Sequence, residues 1–173
     1  VADEKGNEVP RGTQGELLIR CAGENPRKGF FAGYLNNEEA TEEAWEGGWF
    51  HTGDTVTQDD SGMLYFVDRK KNIIRRSGEN IAAAEVEATL QSHDAVAQVA
   101  VIAVKDELRE EEVMACIVLM DESDPSEAVA KALFDYAFSR LAYFKPPGYI
   151  VFLDSLPTTG TQKIRKAQIF GAD

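Results

Sequence analysis

The sequence predicts an α+β fold in two successive parts, and three observations carry that expectation. The first stretch breaks short apolar segments with Gly, Pro, Asn and Asp, as β-structure does. From about residue 72 onward, helical and β-branched segments alternate, enough to close a second small core. Between the two lies FVDRKKNIIRRSGEN, residues 66–80, in which five cations crowd together although the whole chain has a formal net charge of -12.

Taken in order, residues 1–13 carry breakers (Gly6, Asn7, Pro10, Gly12), and residues 14–20, QGELLIR, predict a short strand. A Gly-rich loop follows. Residues 38–45, EEATEEAW, predict a short helix with an acidic first turn, stopped by Gly47 and Gly48. Residues 49–57 and 63–68 predict a hairpin, because Asp59-Asp60-Ser61-Gly62 between them is strong turn chemistry.

In the second part, residues 72–76 predict a strand, 77–80 a turn, and 82–92 an amphipathic helix with Val86 and Leu90 on one face. Residues 96–104 (VAQVAVIAV) and 113–120 (VMACIVLM) read as buried strands around a charged loop at 105–112. Residues 125–141 place Val129, Leu133, Tyr136 and Ala137 at helical spacing, with Ser123 or Asp124 as the cap. A third strand is expected at 149–153 and a last short helix at 164–170.

Composition narrows the function classes. With 43% hydrophobic residues among 173, the chain can bury a core. Its 18 Lys and Arg face 30 Asp and Glu, which disfavours non-specific binding to nucleic acid or to an anionic membrane. No apolar run approaches the roughly 18 residues of a membrane span. Cys21 and Cys116 sit in apolar, strand-like settings with nothing to force a pairing, so a reduced, cytoplasmic protein is expected. Two distant histidines and two apolar cysteines make no metal site. The opening VADEKGNEVP reads like the middle of a loop, so a fragment of a longer protein is expected.

Four motifs then occur in order. They are GWFHTGD (48–54), an aromatic strand, DRKKNIIRRSGEN (68–80) followed by an AEVE helix, and LPTTGTQKIRK (156–166). Together with GELLIR and GYLNNEEATEEAW they closely resemble the acyl-CoA synthetase branch of the adenylate-forming ligases. The crotonobetaine/carnitine-CoA ligase-like and medium-chain acyl-CoA synthetases are the branches most similar to it.

The resemblance implies that residues 1–70 are the end of a large domain, β-rich and carrying the TGD motif. It implies that residues 71–173 are a small mobile C-terminal domain. The family's phosphate loop and acyl pocket would lie upstream, so this chain alone is expected to be inactive. It further implies a carboxylic acid substrate, ATP and AMP, coenzyme A, and Mg²⁺ held mainly by phosphates and upstream residues. A carboxylate attacks the α-phosphate of ATP to give acyl-AMP and pyrophosphate, and the thiol of coenzyme A then displaces AMP.

By the same resemblance, Asp54 accepts hydrogen bonds from the ribose hydroxyls, a task suited to an ionised carboxylate. Its alternative is a turn cap. Arg69 contacts the same nucleotide with a multidonor fork, the alternative being a surface ion pair. Lys71 falls at the family's hinge, and Gly78 belongs to the loop lining the pantetheine tunnel, where no Cβ intrudes. Lys163 holds the position of the catalytic lysine, stabilising charge that builds on the carboxylate and α-phosphate. Gln162 departs from the family's usual Gly just before it. Lys70, Arg75 and Arg76 are read as solvated strand residues, His51 as structural, and Lys145 as packing with a weak claim on coenzyme A phosphates. Rival functions are an adenylation domain loading a carrier protein, a luciferase-like oxygenating relative, and a non-catalytic binding module.

Overall fold

The computed structural model describes residues 1–30, 33–120 and 123–170. The chain divides into two compact units, Val1–Lys71 and Asn72–Asp173, of α+β type.

In the first unit a three-stranded antiparallel sheet has the order β1 (Gly15–Ile19), β2 (Phe50–Gln58), β3 (Leu64–Arg69). The turn between β2 and β3 is held by Asp59, whose carboxylate accepts from the Met63 amide at 2.9 Å and from the Ser61 hydroxyl at 2.7 Å. Helix α1 (Glu38–Glu43) starts at Asn37, whose side chain accepts from the Ala40 amide. Trp45, buried, meets the rings of Phe30 at 5.3 Å and Phe50 at 5.4 Å. These aromatics are the main apolar packing of the unit.

The second unit carries a five-stranded sheet in the order β5 (Glu79–Ala82), β4 (Ile73–Arg76), β7 (Glu110–Leu119), β6 (Val96–Asp106), with β8 (Tyr149–Phe152) parallel to β7. A parallel neighbour requires a crossover, and α3 (Glu127–Phe138) supplies it. Helix α2 (Ala83–Gln91) buries Ala83, Val86 and Leu90 in one apolar cluster with Val101, Ile117 and Leu133. A second, smaller cluster joins Ala100, Cys116 and Leu156 to Ile164 and Ile169 of the tail.

Four sequence expectations change here. The turn after β4 is two residues long, not four: Ser77 and Gly78 both have positive φ, at 53° and 82°, so Arg76 pairs with Glu79 and β5 starts at once. The charged stretch 105–112 is not a loop, because β6 and β7 run on to Asp106 and from Glu110. Lys105 there faces Glu111 across the ladder, and the Asp106 carboxylate accepts from the Leu108 and Arg109 amides to close the turn. Helix α3 is capped by Ser126, which accepts from the Val129 amide, rather than by Ser123 or Asp124. The expected terminal helix shrinks to a single 3-10 turn, Lys166–Gln168, because Ile164 is drawn into a bridge with Thr158.

Candidate active site

Asp54, Arg69 and Lys71 belong to the first unit, Gly78 and Lys163 to the second. Thr52-Gly53-Asp54 falls inside a strand, as the expected strand at 49–57 implies. It lies in the middle of β2, which kinks there: Gly53 has φ +70°, and the register with β3 shifts between Thr55 and Val56. Thr52 fixes the kink, donating its hydroxyl to the Leu17 carbonyl at 2.7 Å and accepting from the Asp54 amide at 3.1 Å.

Asp54 and Arg69 are direct cross-strand partners, with Nη1 of Arg69 3.0 Å from Oδ1 of Asp54. One N–H of that nitrogen is donated to the Thr52 carbonyl 3.1 Å away. Oδ1 of Asp54 is therefore buried and ion-paired by distance, yet it accepts no hydrogen bond. A carboxylate oxygen in that state keeps unused lone-pair capacity. Beside it lies a cavity of about 460 Å³ lined by Gly53, Arg69, Lys70 and Lys71. Three cations and one backbone turn make a wall suited to phosphate and hydroxyl oxygens.

Glu16 escaped the sequence reading. Although only 8% exposed, it reaches from β1 to three groups: the Lys70 ammonium at 2.8 Å, Nδ1 of His51 at 3.2 Å, and the Gly53 amide at 3.3 Å. Burial pushes its pKa up, but the hydrogen bonds from Lys70 and His51 outweigh burial and hold it below the usual carboxylate value. The signal was present in QGELLIR, where a charge interrupts an apolar strand. Lys70 is thus tied down rather than merely solvated, and His51 shares the same carboxylate.

In the second unit, Gly78 sits at the hairpin tip, where an added Cβ would meet nothing within 4 Å. Its glycine answers to the positive φ, and the space before it is open. Arg76 is not a solvated strand residue. It is 16% exposed, pairs through Nε with the buried Glu112 at 3.0 Å, and donates to the Phe144 and Pro146 carbonyls at 3.0 Å each. Arg109 approaches the same carboxylate at 2.6 Å. Arg75 keeps an exposed side chain. The Lys145 ammonium is held by both oxygens of Glu85, at 2.7 and 2.6 Å.

Lys163 is exposed on a tight turn. The Thr159 amide donates to the Lys163 carbonyl at 2.8 Å, and the Lys163 amide returns a bond to the Thr159 hydroxyl at 3.1 Å. Gln162 takes the left-handed conformation at φ 63°, which a glycine adopts without cost. Among the described residues, no group of three or more His, Cys, Asp or Glu side chains could hold a metal ion, and no helix is long and apolar enough to cross a membrane.

Comparison with known proteins adds a second line of argument. Residues 85–163 match the AMP-binding enzyme C-terminal domain. The chain is 40% identical over 170 residues to a crotonobetaine/carnitine–CoA ligase of Proteus mirabilis, and 35% identical to that of Salmonella typhimurium. In each case 98% of this chain matches 32% of the relative, so the chain spans about a third of the length of these proteins. Among solved structures, the o-succinylbenzoate CoA synthetase of Bacillus subtilis in complex with its acyl-adenylate intermediate superposes with a TM-score of 0.80 at 33% identity, over 99% of this chain and 33% of that one. An amide bond synthetase of Marinactinospora thermotolerans gives a TM-score of 0.76 at 31% identity, over 98% and 33%.

Proposed function

From the premise that residues 85–163 are an AMP-binding enzyme C-terminal domain, we propose that the chain is the C-terminal portion of an ATP-dependent carboxylate:CoA ligase. Such an enzyme forms acyl-AMP and then acyl-CoA. One observation carries the reading furthest: the buried Oδ1 of Asp54, lacking a hydrogen bond, stands beside a cation-lined cavity. A ribose hydroxyl would satisfy that oxygen, while Arg69 meets the adjoining ribose and phosphate oxygens.

In this reading residues 1–70 are the end of the large domain and 71–173 the small one. Lys71, exposed within the 3-10 turn Lys70–Asn72, is the hinge, where a change of φ and ψ at one position redirects everything after it. Lys163 bridges carboxylate and α-phosphate as charge builds during adenylation. Gly78, with open space before it, lets the pantetheine arm pass during thioester formation. Mg²⁺ would travel with the phosphates and screen their charge. The ligase relatives favour coenzyme A as acceptor, whereas the amide bond synthetase keeps an amine acceptor as the alternative that product analysis must separate.

The test uses the complete protein carrying this chain, with crotonobetaine and carnitine as first probe acids. Lys163→Ala should lower ATP–pyrophosphate exchange by about 100- to 1000-fold. Conversion of supplied acyl-AMP and coenzyme A to thioester should stay within a few-fold. Equal loss in both half-reactions would refute the role of Lys163.

A further inference from the structure

The AEVE segment at the start of α2 places two carboxylates two residues apart, and each clasps a different lysine. Glu85 takes Lys145, and Glu87 takes Lys166 at 2.7 Å. The same Oε1 of Glu87 also accepts the Val101 amide at 2.7 Å. Val101 lies in β6, the last strand of the sheet order, so one oxygen atom joins a helix, a strand and the C-terminal tail. The ion pair is largely covered, at 24% exposure for Lys166 and 23% for Glu87. Pairs removed from water to this degree are screened less than surface pairs.

Lys166 lies three residues beyond Lys163. On the near side of Lys163, the turn is closed by the Thr158–Ile164 bridge and by reciprocal bonds between Thr159 and Lys163. On the far side, the Arg165 amide donates to the Pro157 carbonyl at 2.8 Å, and Ile164 and Ile169 pack against Ala100, Cys116 and Leu156. Gln162 stays in its left-handed conformation inside this turn, which costs free energy and persists only where surrounding contacts impose it. The backbone under Lys163 is therefore tied on both sides, while its side chain stays exposed.

We propose that Glu87 and Lys166 are positioning residues for Lys163. Their ion pair clamps the tail to α2 and β6, so the turn presents the Lys163 ammonium at a fixed reach. The inference rests on the reading that Lys163 serves adenylation, although the clamp itself can be tested without it. Neither residue need touch a substrate. Displacing a reacting group by about 1 Å can cost on the order of 100-fold in rate, so a clamp three residues away has leverage.

Two measurements decide it. In this chain, amide hydrogen exchange at Thr159 and Lys163 should quicken at least about tenfold in Lys166→Met, while amides within β6 and β7 keep their protection. In Lys166→Met the Val101 amide retains Glu87 as acceptor, so the fold should survive. In the complete protein, Lys166→Met and Glu87→Gln should each lower kcat for acyl-AMP formation about 10- to 100-fold, with a smaller change in KM for ATP. Thioester formation from supplied acyl-AMP should stay within about twofold.

Lys166→Arg should restore both readouts, and the double variant should be no worse than either single one, since both remove one interaction. Unchanged exchange at Thr159 and Lys163 in Lys166→Met would overturn the clamp. So would equal loss in the two half-reactions. If exchange quickens as expected but Lys163→Ala leaves adenylation intact, the clamp stands and the proposed role of Lys163 falls.

Discussion

In the second unit Ile81, Leu90, Ile117 and Leu133 are completely buried, whereas in the first β3 leaves Leu64, Tyr65 and Phe66 exposed at 42, 54 and 62%. Successive residues of a strand face opposite sides, so three exposed neighbours mean that neither face is covered in the first half of β3, whereas Asp68 further on is buried. The second unit gathers α2, α3 and five strands around one large apolar cluster, with a smaller one under the tail. The first relies on Trp45, Val56 and a few aromatic neighbours. The two units thus differ in what they can support alone. A self-contained core would let the unit bearing Lys163 keep its shape through the change of position proposed for it. The unit bearing Asp54 holds its site through short polar ties, with Glu16 and Thr52 at their centre.

The strongest way to break this comparison is to cut the chain after Lys71. Residues 72–173 should refold with a cooperative urea transition followed by circular dichroism. Residues 1–71 should show a broad one or none, and a sharp transition there would erase the distinction. A smaller effect comes from single side chains. Leu133→Ala should cost about 2–5 kcal/mol in the second unit, since it opens a cavity in a close-packed core. Phe66→Ser should change stability by less than about 0.5 kcal/mol, because little burial is lost.

Acid sharpens the contrast further. The pKa of Glu16 is lower in the folded chain than in the unfolded one. Its stabilising contribution is therefore present above the ordinary glutamate value of about 4.3 and is lost as pH falls through the lower folded value. Both tryptophans, Trp45 and Trp49, lie in the first unit, so their fluorescence follows that unit during the titration. Glu16→Gln should flatten the response in this window, and an unaltered acid profile would remove Glu16 from the account. The smallest expected effect is Gln162→Gly. Relief of the left-handed backbone, about 1 kcal/mol, is offset by the greater freedom of glycine in the unfolded chain. Thermal unfolding should barely move.

The residues that pack were legible because their reasons are local. The Val86 and Leu90 face of α2, the β-branched runs of β6 and β7, and the Asp59–Gly62 turn all follow from spacing and turn chemistry. The ordered motifs pointed to Asp54, Arg69, Lys71, Gly78 and Lys163 through resemblance. What escaped was the partner of each charge. Nothing in the sequence names the partners of Glu16, Glu87 and Glu112, and each meets cations that are distant in the chain or approach through a turn. The place of the Thr52-Gly53-Asp54 kink also escaped, because a register shift belongs to two strands at once. Arg76 was misread for the same reason: the Phe144 and Pro146 carbonyls that hold it arrive from far along the chain.

The bond between Glu87 and the Val101 amide has a further outcome at the rim of the sheet. An outermost strand offers main-chain donors to any extended segment that drifts past, and β-sheet proteins fibrillate through such margins. Here one of those donors is already engaged, by an acid whose charge Lys166 balances. The carboxylate therefore also works against self-association of an otherwise inviting strand.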